Sequence, residues 1–178
     1  LKEKHPDNYR IHQLLGENCV VQSLYGPAIA NFRKAIERNL QARGLRLKLG
    51  EAHQAAGETD RALAAFEDEL GLNPNDAYAH YKAGVILLEQ NKLDEATSHL
   101  KRATALDPRS ADALAAYGRC LLENNQSQEA LVQLRQAVEL DAQNAAAWFH
   151  LARALQKTGD VASAQQALQM YEKLKEKN

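Results

Sequence analysis

A chain of 178 residues, 45% hydrophobic and 25% charged, is long and apolar enough to bury a core without disulfide or metal staples. With 22 Lys and Arg against 23 Asp and Glu, its net charge of -1 excludes a general attraction to nucleic acid or to an anionic membrane surface. Aromatics at 6% and four prolines leave little for an all-β architecture, and no apolar run approaches the length of a membrane span.

Pro74 and Pro108 lie 34 residues apart, and Pro6 lies two such periods before Pro74. Laid out at that period from Tyr9, the chain falls into five blocks, 9–42, 43–76, 77–110, 111–144 and 145–178, with no insertion or deletion. Each block predicts two helices of about fourteen residues joined by short turns. Residues 1–8 occupy positions 27 to 34 of an earlier block, with Pro6 in the proline column, so the array is expected to continue upstream.

In the first block Asn8 precedes the first helix as a cap, Gly16 is its small eighth residue, and Ser23 marks the turn. Pro27 stands in the first turn of the second helix, where a missing N–H costs nothing, followed by Ala28 and the knob Phe32. The second block repeats the pattern with Gly50, Gly57, Ala62 and Phe66, but Ala42 in the capping position has no oxygen to offer. The third carries Asp76, Gly84, Asn91, Ala96 and Leu100, and the fourth Ser110, Gly118, Asn125, Ala130 and Leu134. The fifth carries Asn144, Ala152, Gly159, Ala164 and Leu168. The small eighth residue lets two helices approach closely, the alanine allows a methyl and no more, and the knob projects four residues further along the same face. Tyr171, followed by Lys173, Lys175, Glu176 and Lys177, reads as a terminal face that no further repeat covers, at or near the natural C-terminus.

These columns resemble the tetratricopeptide repeat. The matches are Leu15, Gly16, Ala28, Phe32 and Ala35 in the first block, Gly84, Ala96, Leu100, Ala103 and Pro108 in the third, and Trp148, Leu151 and Ala164 in the last. Leu40 and Ala142 stand where the family has proline, Glu69 and Tyr171 where it has a small residue, and Arg46 where it has an aromatic. The resemblance implies an all-α fold, a right-handed α-solenoid of antiparallel helix pairs running as one continuous domain.

Catalytic and metal signatures are lacking. The tripeptide His5-Pro6-Asp7 resembles the signature loop of J-domain co-chaperones, but the repeat phase accounts for it better. Among His5, His12, His53, His80, His99 and His150 no two are spaced i, i+4, and no Cys pair accompanies them. Phosphate-binding and nucleophile-elbow motifs are missing, and the carboxylates are expected on solvated helix exteriors. No catalytic residue, metal or cofactor is expected. Cys19 and Cys120 are about three repeats apart, too far for a disulfide, which fits a reducing compartment such as the cytoplasm without assigning one.

The resemblance also implies that first helices line a concave groove, with ligand contacts from the second, fifth, sixth, ninth, twelfth and thirteenth columns. The ninth column reads Glu17, Glu51, Val85, Arg119 and Arg153, acidic toward the N-terminus and basic toward the C-terminus. Candidate peptide contacts are Lys48, Tyr78, Tyr81, Lys82, Arg119, Phe149, Arg153 and Lys157, with Leu88 and Leu122 adding apolar surface and Lys82, Arg119 and Arg153 forming a basic strip. The carboxylate clamp of chaperone-binding members is missing, since Gln13 with Glu17, Lys48, and Tyr81 with Val85 stand in its places.

The expected function is a scaffold that binds a peptide or helix of another protein, acidic side chains favoured, without contact to nucleic acid or membrane. One alternative is a substrate-recruiting or regulatory arm of a larger enzyme. Another is self-association through the exposed edge of the first repeat.

Overall fold

The computed structural model describes residues 8–177. The preceding-repeat tail with Pro6, the His5-Pro6-Asp7 tripeptide and the Asn8 cap lie outside the described residues or side chains. Ten helices and no strand are present among the described residues: α1 (Asn8–Val21), α2 (Tyr25–Arg38), α3 (Leu45–Ala55), α4 (Thr59–Leu72), α5 (Ala77–Glu89), α6 (Leu93–Leu106), α7 (Ala111–Glu123), α8 (Ser127–Leu140), α9 (Ala145–Thr158) and α10 (Val161–Lys175). They form two compact units, Leu1–Ala83 and Gly84–Asn178, whose boundary falls inside α5.

The turn inside every helix pair is built alike. Ser23, Asn91 and Asn125 take φ 58°, Gly57 takes 78° and Gly159 takes 89°, the left-handed region that small and amide side chains tolerate. The next residue then donates its N–H to the carbonyl five residues back: Leu24 to Cys19, Glu58 to His53, Lys92 to Leu87, Gln126 to Leu121 and Asp160 to Leu155, at 2.8–3.0 Å. These bonds satisfy carbonyls that the helix end would otherwise leave unpaired.

Three predicted caps form. Asp76 accepts from the N–H of Ala79 at 2.9 Å, Ser110 from Ala113 at 3.3 Å and Asn144 from Ala147 at 2.9 Å. Ala42 provides none, and α3 begins only at Leu45, with Gly44 at its N-cap in the left-handed region at φ 81°.

Each unit holds two glycine–knob contacts. A Cβ on Gly16 or Gly50 would stand 2.6 or 2.5 Å from Cε1 of Phe32 or Phe66 in the first unit. In the second, one on Gly84 or Gly118 would stand 2.6 or 2.5 Å from Cγ of Leu100 or Leu134. These four knobs are buried, as are the alanines Ala28, Ala62, Ala96, Ala130 and Ala164. Leu168 departs from its column at 41% exposure. Ala152 replaces the glycine in that block, so a methyl takes up the room into which the other knobs pack.

A second correction concerns Glu69. Carboxylates were expected on helix exteriors, but Glu69 is 0% exposed. Its Oε1 accepts the N–H of Gly44 at 2.6 Å and so serves the start of α3 in place of the missing cap. Among the described residues its Oε2 has no hydrogen-bond partner, and neither has the buried Nη1 of Arg46 in the same block.

Candidate peptide-binding site

In the first unit the candidate residues come from α1, α3 and the start of α5. Lys48 Nζ lies 3.0 Å from Glu17 Oε1, and the Gln13 amide donates to the same oxygen at 2.9 Å. The Gln13 hydrogen bond first, and Lys48 after it, hold the Glu17 carboxyl below its ordinary range. Tyr78 donates its hydroxyl to Glu51 at 3.1 Å, and its ring lies 6.0 Å from that of Tyr81. Lys82 places its ammonium 5.8 Å from the Tyr78 ring centre and 6.0 Å from that of Phe66, a cation–π arrangement that fixes the charge over aromatic surface. Lys48 is thus bound to its own neighbour, while Tyr78, Tyr81 and Lys82 form one aromatic and basic group.

In the second unit the residues come from α7 and α9. Arg153 lies 3.3 Å from Glu123 and 6.0 Å from the centre of the Phe149 ring. Phe149 is partly exposed and packs against Tyr171 of α10 and the edge of His150, both at 5.3 Å between centres. Lys157 donates to the carbonyl of Leu122 at 3.2 Å and to Asn125 at 3.4 Å, closing the end of α7. Arg119 makes no hydrogen bond or ion pair among the described residues. Leu88 and Leu122, expected to add contact surface, are buried core residues. Of the basic strip, Lys82 belongs to the first unit, Arg119 and Arg153 to the second.

His150 and Glu123 were not among the candidates, although Glu123 stands in the thirteenth column, one of those the family uses. Burial first, then the charges of Arg119 and Arg153, push the His150 pKa from 6.5 to about 4. Its Nδ1 is buried without a hydrogen-bond partner among the described residues. The unfolded chain therefore takes up a proton near 6.5 that the folded chain refuses until about 4. Stability tied to the neutral ring is present above 6.5 and is lost as pH falls through that window. The thermal unfolding midpoint is expected to drop between about pH 7 and pH 5, and His150→Gln to remove part of that drop. An equal drop in both proteins would assign it to other groups.

No group of three or more His, Cys, Asp or Glu is placed to hold a metal ion among the described residues, and no helix there is long and apolar enough to cross a membrane. Family models described as tetratricopeptide repeat match residues 20–77, 47–97, 87–133 and 122–177. The chain belongs to the tetratricopeptide-repeat family. Among solved structures, MamA from Desulfovibrio magneticus RS-1 superposes on this tetratricopeptide-repeat chain with a TM-score of 0.85 at 20% identity, covering 97% of both chains. YrrB, described as a tetratricopeptide-repeat protein with an unusual peptide-binding site, gives 0.77 at 20% identity over 92% of this chain and 84% of its own. The pilF protein of Pseudomonas aeruginosa gives 0.81 at 20% identity over 94% and 77%. At such identities the likeness shows the fold. The aspartyl/asparaginyl beta-hydroxylases of Mus musculus and Homo sapiens are 37% identical over 57 residues, 32% of this chain and 8% of theirs.

Proposed function

We propose that this chain is a non-enzymatic interaction scaffold whose first-helix surfaces bind an acidic, partly apolar peptide segment of a partner protein. The observation that carries the reading is Arg119. Every other candidate cation of the second unit already has an internal partner, whereas this guanidinium makes no hydrogen bond or ion pair among the described residues and shares the surroundings of His150 with Arg153. A planar fork without a partner suits a carboxylate, and the partly exposed Phe149 supplies apolar area at low entropic cost. Membership of an interaction-scaffold family and the peptide-binding description of YrrB agree with it.

The test is fluorescence anisotropy with two sets of labelled twelve-residue peptides, one placing Asp and Glu around a Leu or Phe and one placing Lys and Arg there. The acidic set is expected to bind more tightly, and Arg119→Glu to weaken it by about tenfold or more, a loss of about 1.4 kcal/mol. Equal binding of both sets, or no effect of the variant, would exclude the reading.

A further inference from the structure

Within the second unit α9 carries a second surface. Phe149, Arg153 and Lys157 follow one side of the helix, and Trp148, Leu151 and Leu155 follow another at helical spacing. Beside this second side, α8, α9 and α10 leave a cavity of about 310 Å³. Its floor is apolar and buried, formed by Leu151, Leu155 and Ala167, and its walls are the half-buried Trp148 and Met170. Among the described residues Arg135 is the only charged side chain in the lining.

Three features mark this as a place for a ligand. The Trp148 indole is held by its Nε1–H, which donates to the carbonyl of Ala142 at 3.0 Å, so the wall is fixed in advance. Met170 opposite is unbranched and adapts its shape to an occupant. Arg135 is exposed and makes no hydrogen bond or ion pair among the described residues; its charge acts at longer range on Asp160, whose carboxylate is already bound by Ser163, the N–H at 3.1 Å. The apolar wall is particular to this repeat: the column of Met170 holds Lys34, Asp68, Arg102 and Gln136 elsewhere. A volume near the lower end of the range for ligand pockets fits one or two side-chain-sized groups and no large cofactor.

We propose that this cavity binds a small amphipathic carboxylate, its apolar body lodged among Trp148, Leu151, Leu155 and Met170 and its charge on Arg135. The ligand is either a free arylalkyl or aliphatic carboxylate or a large apolar side chain next to Asp or Glu on a peptide. The site is separate from the peptide surface above and does not depend on it.

Trp148 is the sole tryptophan of the chain, so its emission reports on the cavity directly. The experiment titrates the protein with 4-phenylbutyrate, with acetyl-Glu-Phe-amide, and with 4-phenylbutan-1-ol as the uncharged control. A saturable change is expected with at least one carboxylate, and the tighter of the two identifies the source. Binding should be about tenfold weaker for Arg135→Ala and for the alcohol. It should vanish in Ala167→Leu, which fills the floor. Should that variant lose its helical circular dichroism, Gln166→Phe blocks the mouth instead, because Gln166 lines the cavity from an exposed position. Arg119→Glu must leave the titration unchanged, which separates this site from the peptide surface. No saturable change with either carboxylate up to about 10 mM, or unaltered binding in both Arg135→Ala and a blocking variant, overturns the proposal.

Discussion

Replacing Phe66 by alanine is expected to cost about 3 to 5 kcal/mol of unfolding free energy. The ring is fully buried, and it occupies the space where Gly50 has no side chain. Gly50→Ala should cost about 1 to 3 kcal/mol by itself, because its methyl would meet the ring at 2.5 Å. The double variant is the informative one. Once the ring is gone, the new methyl occupies part of the vacated volume, so the two losses should fall short of their sum by at least about 0.5 kcal/mol. Urea unfolding of the four proteins measures this directly, and additive losses would mean that ring and glycine do not share the space. The consequence reaches the surface, since the Phe66 ring also lies beneath the ammonium of Lys82.

The second large effect has the opposite sign. Arg46→Trp combined with Glu69→Ala restores the family's residues in both columns of the second block, and is expected to stabilise the chain by about 1 to 4 kcal/mol. The pair removes two buried polar atoms without partners, each costing about 1 to 3 kcal/mol. Against this stands one lost hydrogen bond, from the Gly44 N–H to Glu69, worth about 1 kcal/mol. Thermal unfolding followed by circular dichroism decides the sign. A lower midpoint would show that anchoring the start of α3 outweighs both unpartnered atoms.

What the sequence made legible was the chemistry that acts over a few residues. The left-handed turns at Ser23, Asn91 and Asn125, the caps at Asp76, Ser110 and Asn144, and the alanine column are each set by one residue and its nearest neighbours in the chain. Their reading needed only residue type and phase. Glu69 was misread because its column calls for a small residue, and only the failed cap at Ala42 hints that a carboxylate is needed to serve Gly44. The internal partners of the candidate contacts were hidden for a related reason. Lys48, Arg153 and Lys157 find their partners on another helix some thirty residues away, and a column of residue types does not show which of its members are already engaged. The cavity beside Trp148 was beyond reach, since it is the space left by three helices and belongs to no single column.

The five turns are one joint used five times, with the same backbone conformation and the same closing bond. A slip of one residue within such a joint moves the left-handed position onto a neighbour and breaks that bond, and in a helix it swings each later side chain through about 100°. Copying or dropping a complete block of 34 residues leaves the joints on either side intact. Genes for chains of this kind are therefore expected to grow and shrink by whole-repeat duplication and loss, with single-codon insertions and deletions rare inside the blocks.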